Sequence, residues 1–302
     1  MDRQWRVLGV PSSAGAHTPG LEKGPAALRE AGLVDLLRQA GCAVEDYGDI
    51  EGFRWRPDPD HPHAQNASVV ARVARDVAAA VAEITRRSRL PLIVGGDCTV
   101  TVGVVAGLAG SGLSPALLYV DGGPDLYTPE TRAVGNLDAM GLAHMLAIPG
   151  HVPELAGIGP AVPLLTPDEV VTYGDSLPED DHERRLLGDL DIARISALEV
   201  HEDVRASADR ALARVEAVGP AFVLHLDVDV LAFIDAPLAD VPDSGDEPIG
   251  LSLDEIVTSL ATFAASPRFA ALVLTEVNPD HVPDAAVLRH FVERLTATLA
   301  RA

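Results

Sequence analysis

Leu118-Tyr-Val-Asp-Gly-Gly-Pro-Asp125 and its echo farther along the chain, Leu224-His-Leu-Asp-Val-Asp229, decide how this sequence reads. Each is an apolar run that ends in two closely spaced carboxylates. A Gly-Gly-Pro turn separates Asp121 from Asp125, while Asp227 and Asp229 lie two apart and are expected on one face of a strand tip. Acids gathered at the ends of two buried strands repel each other unless a cation sits between them. Asp121, Asp125, Asp227 and Asp229 can supply oxygens to one or two divalent ions, which in two-metal hydrolases lie about 3.5–4 Å apart and share a water.

Working outward, further apolar runs read as strands, Trp5–Val10, Leu90–Val94, Val170–Tyr173, Phe222–Leu226 and Leu272–Thr275, and Ala43–Asp49 reads as a strand that ends in acids. Between them, Val70, Val73, Val77, Val81 and Ile84 recur at helical spacing over 67–87. Further helices are expected from Gly24 through Leu37, after Cys98, and at Val204–Val218, Ser252–Ala265 and Asp284–Ala300. The stretch 150–190 shows no clear period. Unbroken apolar strands alternating with helices predict a three-layer α/β/α sandwich around a doubly wound, mainly parallel sheet. All 302 residues are read as a single domain. In such sheets function gathers beyond the carboxyl ends of the strands. Here those ends carry Cys98, Asp121, Asp125, Asp227, Asp229 and Glu276.

Composition narrows the partners. The formal charge is −22, from 23 basic and 45 acidic residues, which disfavours nucleic acid and suits a small cationic substrate. Two cysteines make no disulfide framework and fit a reducing compartment. The stretch from Met1 to Trp5 has no leader character and no run reaches membrane-spanning length, so a cytoplasmic protein without membrane contact is expected.

These motifs, in this order, resemble the ureohydrolase family of arginase, agmatinase and formimidoylglutamase. Gly9-Val-Pro-Ser12, Gly20-Leu-Glu-Lys-Gly-Pro25 and Asp46-Tyr-Gly-Asp49 resemble the family's N-terminal segment. Gly95-Gly-Asp-Cys98 resembles its Gly-Gly-Asp-His, Asp121 to Asp125 its Asp-Ala-His-x-Asp, and Gly135-Asn-Leu-Asp138 its Gly-Asn-Leu-His. Asp227-Val-Asp229 and Glu276-Val-Asn-Pro279 match closely. The resemblance implies homo-oligomers, usually trimers or hexamers, and two Mn²⁺ ions bridged by a hydroxide that attacks a guanidinium carbon. It makes the four aspartates metal ligands, with Asp121 and Asp227 bridging. Glu276 becomes the acid that orients the guanidinium, and Asn136 a contact for the substrate's α-carboxylate. Asp125, Asp138 and Glu276 are the candidate catalytic residues, and Asn136, Glu276 and Tyr127 the candidate substrate contacts.

The departures all fall at the site. Cys98 and Gly123 stand where the family has imidazole ligands, and Asp138 where it has a proton-shuttling histidine. Tyr127 replaces a substrate-gripping Asn of many arginases. Cys98 can still bind Mn²⁺ or Zn²⁺ as a thiolate, and a cysteine here resembles the branch that hydrolyses N-hydroxyarginine. One ion then keeps Asp121, Asp125, Asp227 and Cys98, and the other only Asp121, Asp227 and Asp229. With a reference pKa of ~3.9, Asp138 would shuttle protons poorly near neutrality. His225 shares strand parity with Asp227 and reads as a core or supporting histidine lying deeper in the sheet. His17, His144 and His281 read as surface residues. The sequence therefore predicts a divergent metal-dependent hydrolase of a guanidino or hydroxyguanidino compound. The alternatives are an inactive pseudoenzyme that binds or regulates and, last, an enzyme with Cys98 as nucleophile.

Overall fold

Each continuous apolar run becomes a strand of one parallel sheet. The computed structural model describes residues 4–239 and 250–301. Residues 1–3, the start of the stretch read above for leader character, lie outside them. The strands are β1 (Gln4–Gly9), β2 (Ala43–Asp49), β3 (Leu90–Val94), β4 (Pro115–Val120), β5 (Val170–Tyr173), β6 (Ala193–Ile195), β7 (Ala221–Asp227) and β8 (Phe269–Thr275). Their order is β2-β1-β3-β8-β7-β4-β5-β6, and every neighbouring pair is parallel.

Side chains alternate between two cores, as the pleat requires. Trp5, Val7, Leu92, Leu118, Leu224 and Leu272 face one core, with the helices Leu33–Gln39, Val204–Val218, Leu253–Ala265 and Ala285–Leu299. Leu8, Ile93, Tyr119, Val223 and Val273 face the other, under Ala67–Arg86 and Val100–Gly110. The result is the three-layer α/β/α sandwich.

Three local expectations need correction. The helix expected from Gly24 through Leu37 is two, Gly24–Glu30 and Leu33–Gln39, parted at Gly32, whose φ of +101° only glycine adopts easily. The short edge strand β6 had no apolar run to announce it. The helix Val100–Gly110 has no solvent face until Ala109, because it is wedged between sheet and the helix Ala67–Arg86. Gly103 allows that approach: a Cβ there would lie 2.4 Å from the Ala74 carbonyl oxygen. No described helix is long and apolar enough to cross a membrane.

Candidate metal centre and active site

β3, β8, β7 and β4 are consecutive neighbours in the sheet, and their carboxyl ends carry the site. Cys98 follows β3, Asp121 follows β4, Asp227 ends β7 and Glu276 follows β8. Tyr119 and His225 sit opposite one another in the β4–β7 register, two residues before Asp121 and Asp227. Strand parity therefore aims all four side chains at the same side. The two rings stack at 4.0 Å with planes 8° apart, and the Tyr119 hydroxyl donates to Asp125 Oδ2 at 2.5 Å.

Asp229 is not on the strand. β7 ends at Asp227, and the 3₁₀ turn Val228–Val230 folds the chain back so that the Asp229 N–H donates to Asp227 Oδ1 at 2.7 Å. Asp229 Oδ1 in turn accepts the Gly122 N–H at 3.0 Å, and Asp121 Oδ1 accepts the Gly123 N–H at 2.8 Å. Glu276 accepts the Cys98 N–H on Oε1 at 3.1 Å and holds a left-handed backbone, φ +64°. Such a conformation is uncommon outside glycine and here turns the acid into the cavity.

The tightest cluster is Cys98, Asp121, His225 and Asp227, whose donor atoms all lie within 4.8 Å of one another. The Cys98 thiol donates to Asp227 Oδ2 at 2.7 Å. His225 Nε2 is 3.3 Å from Asp121 Oδ2 and 3.7 Å from Cys98 Sγ. His225 is the buried, hydrogen-bonded core histidine expected, and its Nε2 also reaches the donors at the strand tip. Asp125 and Asp229 stand outside this set of four.

Cys98, Asp121, Asp125, Asp227, Asp229 and Glu276 line one cavity of about 230 Å³, with His225 behind them. Among the described residues, a Cβ added at Gly123 would meet only Glu183 Oε2, at 3.6 Å, and no imidazole. Glu183 lies in the first turn of the helix His182–Asp189, which the Asp181 side chain caps, and its Oε1 accepts the Leu126 N–H at 2.7 Å. Asn136 donates to Asp138 Oδ1 at 2.5 Å and accepts from Arg132 Nε at 2.8 Å. The Arg132 guanidinium lies over the Tyr127 ring, 4.8 Å from its centre.

Known proteins share this fold. The profile of the arginase family matches residues 3–301. The arginase of Bacillus caldovelox is 31% identical over 278 residues, 90% of each chain. That of Brevibacillus brevis is 30% identical over 280 residues, 92% of each. The chain belongs to the arginase family. The solved Bacillus caldovelox arginase superposes with a TM-score of 0.85 at 26% identity, covering 98% of both chains.

Members of this family are binuclear metal hydrolases of guanidino compounds, usually with Mn²⁺, so the fit of this chain's residues to such a pair is decisive. Burial drives Asp121, Asp125, Asp227 and Glu276 well above the ordinary carboxylate range. The charge of Asp229 adds to the shift at Asp121, Asp227 and Glu276. Asp229 is raised too, by burial. Burial and then Asp227 push the Cys98 thiol far up, while burial lowers His225 to about 3. Without a cation these acids keep protons that a divalent ion would displace. The Cys98 half therefore fits a metal ion. The Gly123 half offers Asp229 and the shared oxygens, with Glu183 facing the gap.

Two residues change meaning in place. Asp138, half-buried, is raised by burial and then by Asp97 to about 7, so the poor shuttle expected from its reference value titrates near neutrality. His144 is fully buried, with neither ring nitrogen hydrogen-bonded, which corrects its reading as a surface residue. His17 is exposed on the cavity lining, and His281 is exposed away from it. Sequence reasoning missed Glu183 and Arg132. The Asp181-His-Glu helix start signalled the first, and a lone cation among acids the second.

Proposed function

We propose that the protein is a metal-dependent hydrolase of a guanidino or hydroxyguanidino compound that also carries a carboxylate. One observation carries this reading: Asp121, Asp125, Asp227, Asp229 and Glu276 converge on one cavity whose lining also holds Arg132 and Asn136. Acids receive the cationic end of the substrate, and Arg132, held by Asn136, receives the anionic end. A divalent ion, Mn²⁺ or Zn²⁺, on these carboxylates supplies the means to activate water at neutral pH. Glu276, anchored on the Cys98 N–H, orients the guanidinium. Water adds to its carbon and a C–N bond breaks. The departing amine takes a proton, for which Asp138, titrating near 7, is the donor in reach of neutral pH. The products are an amine and urea or hydroxyurea.

The Cys98 position, similar to that of the N-hydroxyarginine branch, supports the hydroxyguanidino substrate. Assembly as a trimer or hexamer, and a cytoplasmic location, rest on the resemblance alone; light scattering tests the first. A second reading, a ureohydrolase-fold binding protein without turnover, is favoured by the bare Gly123 and by Asp138 in place of a histidine. Purified protein loaded with Mn²⁺ or Zn²⁺ and given arginine, agmatine and N-hydroxyarginine separates the two. Urea or hydroxyurea from any of them establishes the hydrolase; stoichiometric metal with no product from all three establishes the binding protein. Nucleophilic Cys98 finds little support: its thiol is buried, and the ring beside it is too weak a base to ionise it.

A further inference from the structure

We propose that His225 supplies, from the body of β7, the imidazole that the Gly95-Gly-Asp-Cys98 loop lacks. Cys98, His225, Asp121 and Asp227 then make one four-coordinate site that selects Zn²⁺ over Mn²⁺ and would expand to five-coordinate to take the attacking water. This rests on the metal-dependent reading above and specifies its ion. Bond lengths of about 2.0–2.3 Å to N, O and S in a tetrahedral zinc site require neighbouring donors about 3.3–3.8 Å apart. His225 Nε2 to Asp121 Oδ2 is 3.3 Å, and His225 Nε2 to Cys98 Sγ is 3.7 Å. A third contact, Cys98 Sγ to Asp227 Oδ2, is 2.7 Å because a thiol proton bridges it, and every other pair lies within 4.8 Å. On binding, that proton leaves to solvent and the ion takes its place, opening the contact by roughly 0.8 Å.

The surroundings of the ring are those of a ligand. Thr101 Oγ1, on the helix that follows Cys98, lies 2.7 Å from His225 Nδ1 and can accept its proton, which leaves the Nε2 lone pair for the ion. The stack on Tyr119 fixes the ring plane. Thr275 Oγ1, 3.4 Å from Cys98 Sγ, can donate to the thiolate. A thiolate and an imidazole among the donors favour zinc, whereas sites built from oxygen alone suit manganese.

The test is titration of chelator-treated protein with Co²⁺, a spectroscopic stand-in for zinc, and with Zn²⁺ by calorimetry. Expected are one tightly held ion with a thiolate-to-cobalt charge-transfer band and the intense visible absorption of a four-coordinate site. Cys98→Ser should lose the charge-transfer band yet still bind cobalt. His225→Ala should weaken zinc binding more than 100-fold, and Thr101→Val, acting only through the ring, about 10–100-fold. Circular dichroism checks that each variant is folded; if His225→Ala is not, Cys98→Ser and the wild-type spectrum decide. No charge-transfer band in the wild type, or zinc binding indifferent to a folded His225→Ala, overturns the proposal. Failure of the hydrolase reading looks different: the cobalt signature is present and no guanidino compound is turned over.

Discussion

Replacing Glu183 by Gln should make the metal-free protein more stable, by an amount that grows with pH. The amide keeps the shape of the side chain, and its oxygen can still accept the Leu126 N–H now held by Oε1. Burial raises the Glu183 carboxyl from 4.5 to about 8, the Leu126 N–H opposing the shift. The folded chain therefore keeps this proton up to about pH 8, while the unfolded chain releases it near 4.5. The unfolded state binds fewer protons across that window, so stability falls as pH rises through it. Each pH unit is worth about 1.4 kcal/mol, which makes the whole loss about 5 kcal/mol, a large part of the ~5–15 kcal/mol that holds a typical domain together. Glutamine has no such proton to lose. Urea unfolding of both chelator-treated proteins at pH 5, 6, 7 and 8 should show the variant gaining on the wild type by about 4 kcal/mol over the series. Parallel pH profiles would refute the reasoning, because they would mean that Glu183 is solvated or already ionised in the folded chain.

Other consequences follow from the same geometry. Gly123→His should fold, since the added Cβ meets only Glu183 Oε2 at an ordinary 3.6 Å, and it should raise bound Mn²⁺ towards two ions per chain by elemental analysis. Arg132→Ala should raise KM for a carboxylate-bearing guanidino substrate about 10–100-fold, as loss of a charge-assisted contact worth roughly 1.5–3 kcal/mol predicts, with a smaller change in kcat. An unchanged KM would remove Arg132 from substrate binding. Arg194→Ala leaves Asp175, 1% exposed and bound to Arg194 at 2.5 Å, without its partner, and should cost about 3 kcal/mol by urea denaturation. Zinc binding to chelator-treated protein should release protons, seen as buffer-dependent heat; none released would mean that the acids were already ionised.

The fold was legible wherever one element could be read by itself. Leu90–Val94 and Phe222–Leu226 are continuous apolar runs because both faces of their strands are buried, and the helix Ala67–Arg86 shows its stripe because only one face is. Legibility ended where neighbours far apart in sequence set the environment. The helix Val100–Gly110 carries no stripe because it is enclosed almost all round. Glu183 approaches Gly123 through the packing of a short helix from a stretch without period. The four aspartates could be listed from strand ends, but the protons on them could not: Asp138 reaches about 7 through burial and Asp97, neither of which a linear pattern displays.

The order of the sheet also sets a timetable. β8, late in the chain, lies between β3 and β7, so the strands that bear Cys98 and Asp227 cannot pair until it slides between them. β4 and β7 pair directly, so Asp121, His225 and Asp227 share one sheet edge without β8, whereas Cys98 is joined to them only through it. β8 completes the site by bridging β3 to β7, and it also delivers Glu276. A chain that ends before Phe269 therefore lacks the strand that joins the Cys98 side of the site to the aspartate side.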